Sequence, residues 1–133
     1  MAHAMKYAQC RLCVPTIDQV ASAALYDVGP AYFAAVRDEY KRRRDTVMRK
    51  LKEIPGVVCE CPKGAFYAFP NISKLGIPSR EFAMRLLKEK HVVVVPGTGF
   101  GEGGEGFVRL AYATSEDNIR EGLRRMKEFV ESL

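Results

Sequence analysis

The chain is predicted to fold as α+β, a mostly antiparallel sheet with helices packed on one side. Three observations carry that prediction. Apolar residues recur at helical spacing in four segments and with strand character in four others. The segments run in the order two helices, hairpin, helix, two strands, helix, for which helices gathered on one face of an antiparallel sheet are the simplest packing. A length of 133 residues suits one domain with one core.

Met1 to Met5 carry neither the charged nor the apolar region of a targeting peptide, and residues 1–11 are expected to be a leader or an expression remnant. Thr16-Ile17-Asp18-Gln19 has the form of a capping box ahead of Val20, Ala23, Ala24 and Leu25, which starts a first helix. Gly29-Pro30 ends it and opens a second, because the missing N–H of proline is harmless at the first helical position. Phe33, Val36, Tyr40, Val47, Leu51 and Ile54 keep helical spacing until Pro55-Gly56 stops the chain. The period then changes. Val57-Val58-Cys59 and Ala65 to Pro70 read as two strands of a hairpin around a Pro62-Lys63-Gly64 turn. After a linker holding Asn71, Ser73, Gly76 and Pro78, Ser79 is expected to cap a helix with Phe82, Leu86 and Leu87 as its stripe. Val92 to Val95 reads as an apolar strand, Gly97 to Gly106 as a loop, and Phe107 to Ala113 as a last strand. Thr114 or Ser115 caps a final helix whose Ile119, Leu123, Met126 and Val130 face the core, with i,i+4 ion pairs on its outer side.

Composition narrows the function classes. An apolar fraction of 47% and a charged fraction of 28% are ordinary for a globular protein, and no apolar run approaches membrane-spanning length. The net charge of +5 gathers in residues 37–52, but Asp38, Glu39, Asp45 and Glu53 interrupt it and no aromatic stacking motif accompanies it. A solvated helix face is expected there, with no nucleic-acid partner and no membrane partner. Cys10 and Cys13, then Cys59 and Cys61, form C-x-x-C and C-x-C pairs. A long helical segment separates them, so reduced cysteines of a cytoplasmic protein are expected rather than a zinc site.

Arg109 stands out. It interrupts the apolar strand Phe107-Val108-Arg109-Leu110-Ala111-Tyr112-Ala113, where alternation puts Phe107, Arg109, Ala111 and Ala113 on one face and Val108, Leu110 and Tyr112 on the other. A guanidinium cannot shed its charge, so either a structural acid or solvent meets it, or it waits for an external anion, for which a planar carboxylate is the best match. The preceding Gly101 to Val108 matches the phosphate-covering pattern G-x-G-x-x-G-x-V. Its context is wrong for a nucleotide: the loop opens a strand rather than a helix, and the residues after Val108 read as one strand and one helix rather than as kinase machinery. Glu102 and Glu105 would repel phosphate. His91 reads as a boundary residue, His3 falls in the expected leader, and no nucleophile with a base is visible.

Three ordered motifs, Pro62 to Pro70, Val94 to Gly101 and Gly106 to Ala113, together with Gln19 to Leu25 and Arg43-Arg44-Asp45, resemble the C-terminal small domain of class I/II pyridoxal-phosphate-dependent aminotransferases of the aspartate aminotransferase type. The resemblance covers residues 12–133. It implies that Arg109 binds the substrate α-carboxylate and that Phe66 and Phe100 lie near the substrate cleft. It also implies an amino acid and a 2-oxo acid as substrates, a large domain of the same enzyme as partner, and a homodimer at full length. Pyridoxal phosphate belongs to that full-length enzyme. None of the nine lysines here sits in a setting like the family's cofactor lysine, so the chain alone is expected to bind no cofactor and to be inactive. The rival expectations are a stand-alone regulatory domain that binds a free amino acid or oxoacid through Arg109, and a basic interaction module built on Arg42 to Arg44.

Overall fold

A computed structural model describes residues 5–6, 10 and 13–133, so most of the expected leader and His3 lie outside the described residues. The chain divides into two compact units, Met1–Val36 and Arg37–Leu133.

In the first unit, helix α1 spans Thr16–Ala23 and runs into a short 3₁₀ turn, Ala24–Asp27. The expected capping box does not form: Pro15 occupies the cap position without a side-chain bond, and the Gln19 side chain donates to the Val14 carbonyl at 2.6 Å instead. An amide can reach back to either a carbonyl or an N–H, and here the incoming chain presents the carbonyl. Helix α2, Pro30–Lys52, begins at the predicted proline and continues into the second unit. Its stripe is buried only toward the end, at Val47 and Leu51, whereas Phe33 and Val36 are exposed.

The second unit holds the core. Strands β1 (Tyr67–Ala68), β2 (Val95–Pro96) and β3 (Val108–Ala111) make an antiparallel sheet in the order β1-β3-β2. Helix α3 spans Ser79–Lys90 and helix α4 Glu116–Glu131. Val47 and Leu51 of α2, Phe82, Ala83 and Leu86 of α3, and Ile119, Leu123, Met126, Phe129 and Val130 of α4 form one core with Ala68 and Val108 of the sheet and Tyr112 just after β3. Phe82 and Phe129 meet edge-on, centroids 5.3 Å apart, an arrangement that adds electrostatic attraction to the burial of area. Thr46 of α2 donates to the Glu116 carboxylate at 2.9 Å and ties α2 to the start of α4. The α+β class is thus as predicted, with helices on one face of the sheet.

Several boundaries differ. Val57 to Cys59 forms no strand; Val58 only bridges Asn71, and the segment expected as its hairpin partner pairs with the arginine strand instead. Two-stranded pairing between neighbours in sequence lost to a three-stranded arrangement that buries Ala68. The apolar run 92–95 contributes only Val95 to β2, and Val93 is 73% exposed. Leu87 is likewise mostly outside the core. Ser79 does not cap α3 with its own side chain; Pro78 holds the cap position, and the Glu105 carboxylate accepts from the Ser79 N–H at 2.8 Å and from its hydroxyl at 2.9 Å. Ser115 does cap α4, accepting from the Asn118 N–H at 3.3 Å.

Candidate functional site

The sheet has one buried face, packed on the helices of its own unit, and one partly exposed face. Tyr67 pairs in register with Ala111 and Val95 with Arg109, so Tyr67, Ala111, Val95 and Arg109 share the face opposite to buried Ala68 and Val108. Phe69 and Phe107 stack on one another near this face, centroids 5.2 Å apart and planes within 8°. The loop between β2 and β3 adds Phe100, edge-on to Phe69 at 6.0 Å.

Arg109 is the cation of this aromatic face. Its guanidinium carbon lies 4.4 Å from the Tyr67 ring centroid and 4.6 Å from that of Phe100, both within the range of attraction between a cation and a ring quadrupole. Among the described residues no carboxylate lies within ion-pairing distance of it and no side-chain hydrogen bond uses its donors. Most of the other described arginines are paired, and Arg49 and Arg80, which also lack an ion pair, are exposed whereas Arg109 is half-buried. Arg43 bonds Glu39 at 2.8 Å, Arg44 bonds Asp45 at 2.7 Å, Arg85 bonds Glu89 at 2.9 Å and Arg125 bonds Glu121 at 2.7 Å. Hydrogen bonds from Arg42 and then Arg43 hold the Glu39 carboxyl below its ordinary value, and those from Arg124 and then Arg125 lower Glu121 to about 2.

The glycine-rich loop positions Phe100. Residues Gly97–Phe100 and Glu102–Gly104 form consecutive 3₁₀ turns whose backbones touch: a Cβ on Gly97 would meet the Gly104 carbonyl oxygen at 2.0 Å, and one on Gly104 the Gly97 oxygen at 1.9 Å. Only glycine permits that approach. Glu105 then pins the loop to α3, and the Ser79 N–H and hydroxyl hold its carboxyl below the usual range. The acid read from sequence as a repeller of phosphate is therefore a helix cap supplied from another element.

Of the residues singled out in the sequence, the structure brings Arg109 and Phe100 together. Phe66 lies beside them rather than among them, its ring 4.5 Å from that of Tyr67 and 6.1 Å from that of Tyr40. Sequence reasoning does not single out Tyr67 or Phe69. The alternation of Ala65 to Pro70 puts both on one face, yet only the register with β3 shows that the face is Arg109's. His91 takes a left-handed conformation, φ 57°, as the cap of α3, a boundary role. Cys10, Cys13 and Cys61 are exposed free thiols, and burial pushes the half-buried Cys59 thiol up. No metal-binding group occurs among the described residues.

The family described as aminotransferase class I and II matches residues 1–126. The chain belongs to the class I and II aminotransferases. Aspartate aminotransferase from Pyrococcus horikoshii is 47% identical over 96 residues, 72% of this chain and 25% of that protein. The structure of alanine aminotransferase from Pyrococcus furiosus matches with a TM-score of 0.87 at 34% identity, covering 96% of this chain and 33% of that one. A PLP-bound putative aminotransferase from Clostridium difficile 630 matches with a TM-score of 0.77 at 25% identity, covering 84% of this chain and 29% of that one. The chain spans about a quarter to a third of the length of the curated aminotransferases it matches.

This aminotransferase family implies pyridoxal phosphate in full-length enzymes. The residues of this aminotransferase chain do not fit that group. None of its nine lysines is buried, and Lys50, Lys90 and Lys127 face Glu53, Glu128 and Glu131. In its glycine loop the Gly97 N–H donates to the Phe107 carbonyl at 2.8 Å and the Gly104 N–H to that of Gly101 at 3.0 Å, so neither amide is free to meet a phosphate.

Proposed function

We propose that residues 12–133 are the C-terminal small domain of a pyridoxal-phosphate-dependent aminotransferase, which moves an amino group between an amino acid and a 2-oxo acid. Arg109 holds the substrate α-carboxylate, and Phe66 and Phe100 line the substrate side. One observation carries this reading: a half-buried charged side chain against two rings on the partly exposed face of the sheet, with no acid of its own among the described residues. A carboxylate arriving there meets a planar fork of donors that fits it in bidentate fashion. The surrounding rings lower the local polarity and strengthen the pair, and a fixed carboxylate fixes the amino acid's Cα for reaction.

The cofactor belongs to the large domain of the full-length polypeptide, as does the chemistry of amino transfer. The short share of its relatives that this chain spans, and lysines that lie unburied, support that assignment. The 133-residue chain by itself is inactive, and the full-length enzyme is a cytoplasmic homodimer.

Two measurements test this. In the full-length polypeptide, Arg109→Ala is expected to lower kcat/KM for the amino acid by more than about a hundredfold, the lower end of the worth of two hydrogen bonds to charged groups. An unchanged kcat/KM overturns the clamp. The purified 133-residue chain, given pyridoxal phosphate, an amino acid and a 2-oxo acid, is expected to form no new amino acid, and turnover would overturn the small-domain reading.

A further inference from the structure

We infer that Tyr67 is a positioning residue for Arg109: its ring restrains the guanidinium in a ligand-ready pose, so an incoming carboxylate meets donors already aimed. The inference rests on Arg109 being the carboxylate clamp and adds a residue to it. A free arginine side chain carries four rotatable bonds, and ordering it on binding weakens affinity. Here two rings already constrain it, Tyr67 at 4.4 Å and Phe100 at 4.6 Å.

The two rings are held differently. Tyr67 stands in β1, in register with Ala111, two residues along the strand that bears Arg109. Ring and guanidinium therefore ride on one hydrogen-bonded backbone, which also takes the Tyr112 N–H to the Phe66 carbonyl at 2.9 Å. Phe66 packs on Tyr67 at 4.5 Å and limits its rotation in turn. Phe100 comes from the 3₁₀ turn Gly97–Phe100 and leans on Phe69. Tyr67 is thus the wall built into the sheet, and Phe100 the wall carried by a loop. Together they occupy two sides of the cation, and the ligand enters from what remains. The contact with Arg109 is made by the Tyr67 ring, over which the guanidinium lies, so the ring rather than the hydroxyl performs the restraint.

The experiment uses the 133-residue chain, observed by NMR at the arginine Nε–Hε and Hδ signals, with pyruvate as the probe. The variants are Tyr67→Phe, which keeps the ring, and Tyr67→Leu, which keeps bulk without it. Arg109 signals shifted upfield by ring currents are expected in the wild type and in Tyr67→Phe, with equal pyruvate affinity. Tyr67→Leu is expected to lose part of that shift and to bind pyruvate about tenfold more weakly, within the range of a cation over a ring. Equal affinity in Tyr67→Leu and wild type overturns the inference, as does a wild-type Arg109 that responds to pyruvate without ring shifts. Ring shifts with no response to pyruvate in any variant uphold the restraint and strike down the carboxylate reading. Should Tyr67→Leu misfold, Tyr67→Val, a residue at home in a strand, removes the ring in its place and is held to the same outcomes, the partly exposed site tolerating the change.

Discussion

The two faces of the three-stranded sheet are made by alternate residues of the same strands, yet they obey opposite rules. On the helix side Ala68, Val108 and Tyr112 are almost wholly buried, and the one polar tip among them, the Tyr112 hydroxyl, donates to the Ala65 carbonyl at 3.1 Å. On the other side Tyr67, Phe69 and Phe100 remain partly exposed around a cation that no acid meets among the described residues. The helix side satisfies everything it buries, as a stable core must. The aromatic side leaves the donors of a guanidinium unspent, which adds little to stability beyond its ring contacts and is useful only if something else arrives. The difference shows where this fold invests for its own stability and where it holds chemistry open.

Substitutions can sharpen or break that contrast. The largest effect is expected on the covered side, where Phe82→Ala removes a ring with no exposure at all from its contact with Phe129. A loss of about 3–5 kcal/mol in urea unfolding is the expected result, and a loss below about 1 kcal/mol would mean that the helix side is not the core. Next comes the loop that carries Phe100. In Gly104→Ala a methyl group must displace the Gly97 backbone, at roughly 1–3 kcal/mol by the usual toll of overpacking, and the Phe100 ring should leave Arg109. A crystal structure of this variant with Phe100 unmoved would separate the loop from the site. The smallest stability effect belongs to Arg109→Ala, expected at about 1 kcal/mol or less because only ring contacts at a partly exposed site are lost and no buried partner is orphaned. A large loss there would make Arg109 structural and erase the distinction between the faces.

Much of this was legible beforehand, for reasons that particular residues make plain. Pro30, Ser115 and the Ile119-Leu123-Met126-Val130 stripe act through their immediate neighbours, so local pattern found the helix they start, cap or face. Arg109 was legible because a permanent charge in an apolar strand contradicts its surroundings. Tyr67 was not. An aromatic in a strand is ordinary, and its significance depends on a register set by residues more than forty positions away. Glu105 misled for the same reason: nothing near it in sequence reveals that its carboxylate reaches back to Ser79 at the start of a helix. Val57 to Cys59 shows the converse error, in which adjacency suggested a hairpin and the sheet chose a distant partner.

The sequence by itself determined the helices, the α+β class, the family resemblance and the odd arginine, because periodicity, caps and a charge out of place are properties of short stretches of chain. The tertiary structure alone decided which rings flank that arginine, which glycines must stay glycine and which acid caps α3, because each depends on a contact between segments brought together only by folding.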